Sequence, residues 1–165
     1  RETERSFHEL PCRSSGLSCG DYTFRAMPRI ELLPWEKARA HASPIRISVF
    51  VEEQGVPREI ELDEHDPLCL HAVVFEEGKA VATGRLLPDG HIGRMAVLRP
   101  WRGRGVGAAL LTELLRIAQG AGLEDVALNA QTHAIAFYAR FGFEPEGETF
   151  LEAGIPHRAM RRRLA

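Results

Sequence analysis

Val97-Leu98-Arg99-Pro100-Trp101-Arg102-Gly103-Arg104-Gly105-Val106-Gly107-Ala108 reads as the end of a strand, a turn through alternating glycines, and the opening of a helix. Beyond it, Val106, Leu110, Leu114 and Ile117 recur at helical spacing, with Leu111, Leu115 and Ala118 widening the same stripe. That pattern predicts a helix with one buried face, ending near Gly120 and Gly122. Gly103, Gly105 and Gly107 carry no Cβ, so a ligand can approach the backbone closely. The unpaired amides of a first helical turn then present the positive end of the helix dipole to an anion. Arg102 and Arg104 add forked donors suited to phosphate oxygens, and a pyrophosphate is the natural occupant. A glycine turn can also serve only to let a helix pack closely on a sheet; the two arginines weigh against that. Gly103-x-Gly105-x-x-Ala108 satisfies the dinucleotide pattern too, which would make the chain a nicotinamide-dependent oxidoreductase. That pattern needs an acid at the end of the next strand, whereas Asp125 stands at its start. A Walker loop is excluded, because no Gly-Lys-Ser or Gly-Lys-Thr occurs.

Upstream of the turn, strands are expected at residues 70–75, 80–87 and 91–97, separated by Glu76-Glu77-Gly78 and Pro88-Asp89-Gly90, which makes an antiparallel meander. Before them come a strand at 29–33 and a helical stretch over 34–51, where Ser43 is read as the cap of a second short helix beginning at Pro44. Downstream, 126–128 reads as a strand. Ala134, Phe137, Tyr138 and Phe141 mark a helix closed by Gly142, and strands follow at 144–151 and 158–164. The order is strand, two helices, three strands, helix, strand, helix, two strands. This is an α/β chain of the α+β kind, a mixed sheet with helices on both sides.

At 165 residues, with 44% hydrophobic and 27% charged residues, the chain is expected to fold as one domain. Residues 1–26 are turn-rich and aperiodic and read as an N-terminal tail, with the domain spanning 27–165 from Met27 onward. The net charge of −2 offers no field for drawing in nucleic acid or an anionic membrane, and no membrane is expected as a partner. Without an apolar span or a signal-type leader in this sequence, the expectation is a cytoplasmic protein. Cys12, Cys19 and Cys69 are too few and too irregular for a disulfide framework and are expected to be reduced. Asp63, Glu64, His65, Asp66, Cys69 and His71 match no metal template; no metal is expected, and the stretch reads as a solvated acidic turn. Arg161-Arg162-Arg163 reads as the exposed basic end of a strand.

The stretch Arg102-Gly103-Arg104-Gly105-Val106-Gly107, following Val97 and Pro100, resembles the acyl-CoA pyrophosphate loop of the GNAT acetyltransferases. Ala136-Phe137-Tyr138-Ala139-Arg140-Phe141-Gly142-Phe143 resembles the F-Y-x-x-x-G-F helix end of the same superfamily. Three further stretches are similar to the ElaA-like branch: Val49-Phe50-Val51-Glu52-Glu53-Gln54-Gly55-Val56-Pro57, Ala130-Gln131-Thr132-His133, and Leu151-Glu152-Ala153-Gly154-Ile155-Pro156-His157. The resemblance covers 27–164 and implies the GNAT acyl-CoA N-acyltransferase fold, with acetyl-CoA held where the strands at 91–97 and 126–129 splay apart.

It also implies the site. Backbone groups of Met95, Ala96 and Val97 would hold the pantetheine arm and aim an N–H at the thioester carbonyl, while Arg102, Gly103, Arg104, Gly105, Val106 and Gly107 would hold the diphosphate. Gln131 stands where the superfamily more often has an Asn touching the cofactor, and Tyr138 matches its general acid. Many members place a catalytic Glu on the strand before the Tyr helix, where this chain has Ala127, Leu128 and Asn129. Glu53 and His157 are therefore ranked first as candidate bases, ahead of His71 and His133, and water can serve instead. The implied activity is transfer of acetyl from acetyl-CoA to a primary amine by direct attack, with a small-molecule acceptor favoured over a protein. The alternative is a non-catalytic acyl-CoA-binding or sensing module. The identity of the amine and the oligomeric state are not encoded in any of these motifs.

Overall fold

A computed structural model describes residues 28–164. The tail at 1–26, the expected start at Met27, Cys12 and Cys19 lie outside the described residues. β1 (Arg29–Pro34), β2 (Leu70–Glu76), β3 (Lys79–Leu86) and β4 (Ile92–Val97) form an antiparallel sheet in the order β1-β2-β3-β4. β5 (Asp125–Gln131), β6 (Glu144–Glu152) and β7 (Ile155–Arg163) form a second, in the order β5-β7-β6. The two meet at one parallel bridge, His91 to Ala127, where the Ala127 amide donates to the Gly90 carbonyl at 3.1 Å. Beyond that bridge β4 and β5 share no ladder, so their C-terminal ends separate and leave a slot.

The junction leaves no room for a side chain. Gly90 has φ 93°, and a Cβ there would stand 2.7 Å from the Asp125 carbonyl oxygen. Gly90→Ala is expected to cost about 2–3 kcal/mol in urea unfolding. A loss under about 0.5 kcal/mol, the size of an ordinary surface change, would show that the junction yields freely.

Helices cover both faces of the first sheet because successive strand residues point to opposite sides. Leu110, Leu111 and Leu114 of α3 (Val106–Gly120) pack with Ala72, Val74 and Val81, forming the main core with Phe143 and Met160. On the other face, Ala38 of α1 (Trp35–Arg46) packs with Val73 and Phe75, and Ile45 and Val49 pack with Ala96. The stripe read from the α3 sequence is buried at Val106, Leu110, Leu111, Leu114, Leu115 and Ala118, while Ile117 at its edge is only partly buried.

Three expectations need correction. α1 does not break at Ser43; it runs through Pro44 to Arg46 and continues as a π-helix, Ile47–Glu53, before the short α2 (Arg58–Glu61). Proline withholds one amide but cannot prevent this, because the buried side chains of Ala38, Ala42, Ile45 and Val49 bind the segment to the sheet. Ser43 makes no cap, and its buried hydroxyl has no partner. Secondly, β5 reaches Gln131 and β7 begins at Ile155, because Gln131 and His157 pair across the ladder. α4 (Ile135–Ala139) is correspondingly one short turn.

Thirdly, among its titratable residues the acidic turn is solvated only at Glu64 and His65; Asp66 is buried and Asp63 half-buried. Arg46 is 1% exposed, as are Glu61 and Asp66. Its Nε donates to Glu61 Oε1 at 2.6 Å, its Nη1 to Asp66 Oδ1 at 2.8 Å, and its Nη2 to the Glu61 carbonyl at 2.8 Å. Arg85 donates to Asp63 at 2.6 and 2.7 Å and to Asp66 at 2.8 Å. His71, also buried, contacts the Asp66 carbonyl at 2.9 Å through Nε2 and lies against the Trp35 ring. Carboxylates met by guanidinium groups on β3, β4 and α1 can leave water, which a count of acidic residues in the sequence does not reveal.

Candidate active site

The glycine turn carries the chain from the end of β4 into α3 through left-handed backbone, with φ 71° at Gly103 and 77° at Gly105. Gly105 is the N-cap of α3, and no side chain caps that end. The amides at 103–108 have no acceptor within the described residues; the first bond of the helix is Ala109 N–H to the Gly105 carbonyl at 3.0 Å. A Cβ at Gly103 or Gly105 would meet nothing within 4 Å, so the space above these amides is open. That combination of free donors, helix dipole and open space suits a diphosphate.

The two flanking arginines are arranged differently. Arg104 lies over the Trp101 ring, 5.1 Å from its centroid. Arg102 turns inward: Nε donates to the Val97 carbonyl at 2.9 Å and Nη2 to Glu53 Oε2 at 2.8 Å. Arg99 approaches the same Glu53 oxygen at 3.7 Å. Glu53 thus ties the end of the π-helix to the glycine turn.

Its neighbour makes the matching tie to the other side of the slot. Gln54 and Gln131 exchange amide hydrogen bonds: Gln131 Nε2 donates to Gln54 Oε1 at 2.8 Å, and Gln54 Nε2 donates to Gln131 Oε1 at 3.3 Å. His157 stands opposite Gln131 on β7, largely buried, and stacks on Phe150. Its Nδ1 lies 2.7 Å from the Ile155 carbonyl, which can only accept, so Nδ1 carries the proton and a neutral ring leaves Nε2 with a free lone pair. Glu152 Oε2 lies 3.6 Å from that Nε2.

Tyr138 on α4 places its hydroxyl 3.8 Å from Met95 Sδ, and its ring meets Phe137 and Phe143 edge-on. Burial among these groups pushes the phenol up to about 12. The structure therefore gathers Met95, Val97, Arg102 and Glu53 on the β4 side of the slot, with Gln131 and His157 on the β5 side. His71 belongs to the ion cluster instead, where burial lowers its pKa, and His133 is exposed. Gln54 is a residue of the candidate site that sequence reasoning misses, since nothing in its spacing marks it as the partner of Gln131. Hollows of about 400 Å³ beside Gln119 and Arg163, and about 490 Å³ between Arg39 and Arg58, include none of the site residues. Among the described residues, no helix is long and apolar enough to cross a membrane.

The acetyltransferase (GNAT) domain family model matches residues 38–164. The uncharacterized N-acetyltransferase YjcF of Bacillus subtilis (strain 168) is 41% identical over 120 residues, covering 70% of this chain and 86% of that protein. Protein ElaA of Escherichia coli (strain K12) is 34% identical over 128 residues, covering 73% and 84%. Among solved structures, an acyl-CoA N-acyltransferase from Pseudomonas aeruginosa superposes with a TM-score of 0.75 and 32% identity, over 82% of this chain and 99% of that one. The crystal structure of Escherichia coli ElaA gives a TM-score of 0.75 and 30% identity over the same shares. The sequence likeness and the shared fold agree, and the chain belongs to the GNAT acetyltransferase family, on its ElaA-like branch.

Proposed function

We propose that the protein transfers the acetyl group of acetyl-CoA to a primary amine by direct attack in a ternary complex. The observation that carries this reading is the run of unpartnered amides at 103–108, opening onto the slot between β4 and β5 with Tyr138 at its side. Those amides would hold the diphosphate, and the backbone of Met95, Ala96 and Val97 would pair with the pantetheine arm as an added strand does. The amine nitrogen attacks the thioester carbon, the C–N bond forms and the C–S bond breaks. The sulfur leaves with the proton of Tyr138, and the proton lost by nitrogen goes to a base. His157 suits that role better than Glu53, whose carboxylate already receives Arg102. A cytoplasmic setting, where acetyl-CoA is available, fits the free and buried thiol of Cys69.

One arrangement favours the alternative of an acyl-CoA-binding module without transfer: Gln131 uses both amide atoms, and Glu53 its Oε2, on protein partners. Two measurements separate the readings. CoA, and not NADH, is expected to raise the melting temperature, with about 2.7 kcal/mol of stabilisation at 100 times Kd. Release of free thiol from acetyl-CoA with a panel of small amines and peptides should then follow, with small amines turned over faster. Binding without thiol release across the panel would establish the module. No response to CoA would remove both readings.

A further inference from the structure

The register between β3 and β4 slips beside the slot: Thr83 pairs with Ala96 and Arg85 with Gly93, so Gly84 faces both Arg94 and Met95. Such a bulge leaves the extra residue outside the ladder and turns its neighbour's backbone away from the sheet. Arg94 occupies it with φ 50°, in the left-handed region that side chains other than glycine's avoid. Glycine would adopt this backbone without strain. An arginine persists there because its side chain is fastened.

The fastening is specific. Arg94 Nε donates to the Glu61 carbonyl at 3.2 Å; Nη2 donates to the Ile60 carbonyl at 3.3 Å and to Asp63 Oδ2 at 3.1 Å. Asp63 is itself held by Arg85, which shares Asp66 with Arg46. The bulge is thereby anchored to a buried ion cluster. Its next residue, Met95, lies against the Tyr138 hydroxyl.

We propose that Arg94 is a positioning residue for acyl transfer: its guanidinium locks the bulge, and so fixes the Met95 backbone at the point where Tyr138 delivers its proton. This rests on the acetyltransferase reading above. The cluster that the turn 58–66 forms with Arg94 is then part of the active-site scaffold as well as of the fold. A lysine could not replace it, since a single ammonium cannot reproduce the fork that spans two carbonyls and a carboxylate.

Arg94→Gly is the discriminating variant, because it keeps φ 50° accessible and removes only the fastening. Misplacing a reacting group by about 1 Å costs on the order of 100-fold, so kcat is expected to fall by about that factor. The KM for acetyl-CoA should rise far less than kcat falls, because the diphosphate site is untouched and only the Met95 end of the pantetheine-binding backbone is loosened. Guanidinium ion, added well below denaturing concentration, should restore part of the lost kcat. Arg94→Gln, which keeps the stem without the fork, serves if the glycine variant does not fold. A kcat equal to the parent's, or a fall matched by an equal rise in KM, overturns the proposal.

If the parent releases no thiol with any amine, the acetyltransferase reading fails, and the lock is read by NMR instead. The Met95 amide should give one sharp resonance in the parent and a broadened or divided one in Arg94→Gly. Identical sharp signals in both proteins overturn the lock.

Discussion

Arg46→Ala is expected to lower stability by about 3–5 kcal/mol at neutral pH, measured by urea unfolding, because it strips the buried Glu61 carboxylate of its hydrogen-bonding partner and leaves the buried Asp66 with Arg85 alone. Arg46 makes bonds of 2.6 to 3.2 Å to Glu61 and Asp66 from a position 1% exposed. Glu61 has no slack to absorb the loss, since its Oε2 is already buried without a partner. Single domains are held by about 5–15 kcal/mol in all, so the variant should be near the edge of folding. Arg161→Ala provides the contrast: its bonds to Asp125 and Glu146 are exposed, and removing them should cost less than about 1 kcal/mol. Equal, small effects for the two variants would mean that the buried cluster contributes nothing that surface pairs do not.

The same cluster sets an acid limit. Burial alone would raise the Asp63 carboxyl, but hydrogen bonds and charge from Arg85, with the charge of Arg94, bring it down to about 2. Asp66 is likewise lowered, burial being outweighed by Arg46 and Arg85. A carboxylate whose pKa is depressed in the folded state adds stability above its unfolded value, and that contribution is lost as pH falls toward the folded value. Stability should thus decline from just below about pH 4 toward about pH 2, and Asp63→Asn should flatten this slope.

Tyr138→Phe is expected to lower kcat by about 100-fold or more, the usual contribution of a positioned general acid, while acetyl-CoA affinity remains unchanged. With the phenol pushed up to about 12 by burial, Tyr138 stays protonated across the range where the protein is folded and active. No fall in rate with rising pH should therefore trace to it below about pH 11. An ordinary thiol in water titrates near about 8.5, so full proton transfer before bond breaking would be uphill. The same apolar surroundings disfavour a bare thiolate, which couples proton transfer to C–S cleavage. Unchanged kcat in Tyr138→Phe would assign the proton to water and leave Tyr138 as a wall of the slot.

How far the site can be read from sequence depends on the range of the interaction. The glycine turn is local: positive φ, absent Cβ atoms and the first turn of α3 all lie within consecutive residues, so their spelling is their geometry. Glu53 and His157 are legible as candidates but not in their surroundings, and the structure separates them, one bound by Arg102 and the other with Nδ1 on the Ile155 carbonyl and Nε2 beside Glu152. Pro44 misleads because it sets a local rule against packing on β2, β3 and β4, and packing prevails.

By itself, then, the sequence determined the α3 stripe, the meander and the open, uncapped glycine turn, because each repeats or closes within a few residues of chain. Tertiary structure alone decided that Asp66 leaves water and Asp63 pairs with Arg85, that Gln54 finds Gln131, and that Arg94 sits strained at a bulge beside Met95. Those depend on partners between 19 and 77 residues away, and a charge or an amide in a sequence does not state which distant group will neutralise it.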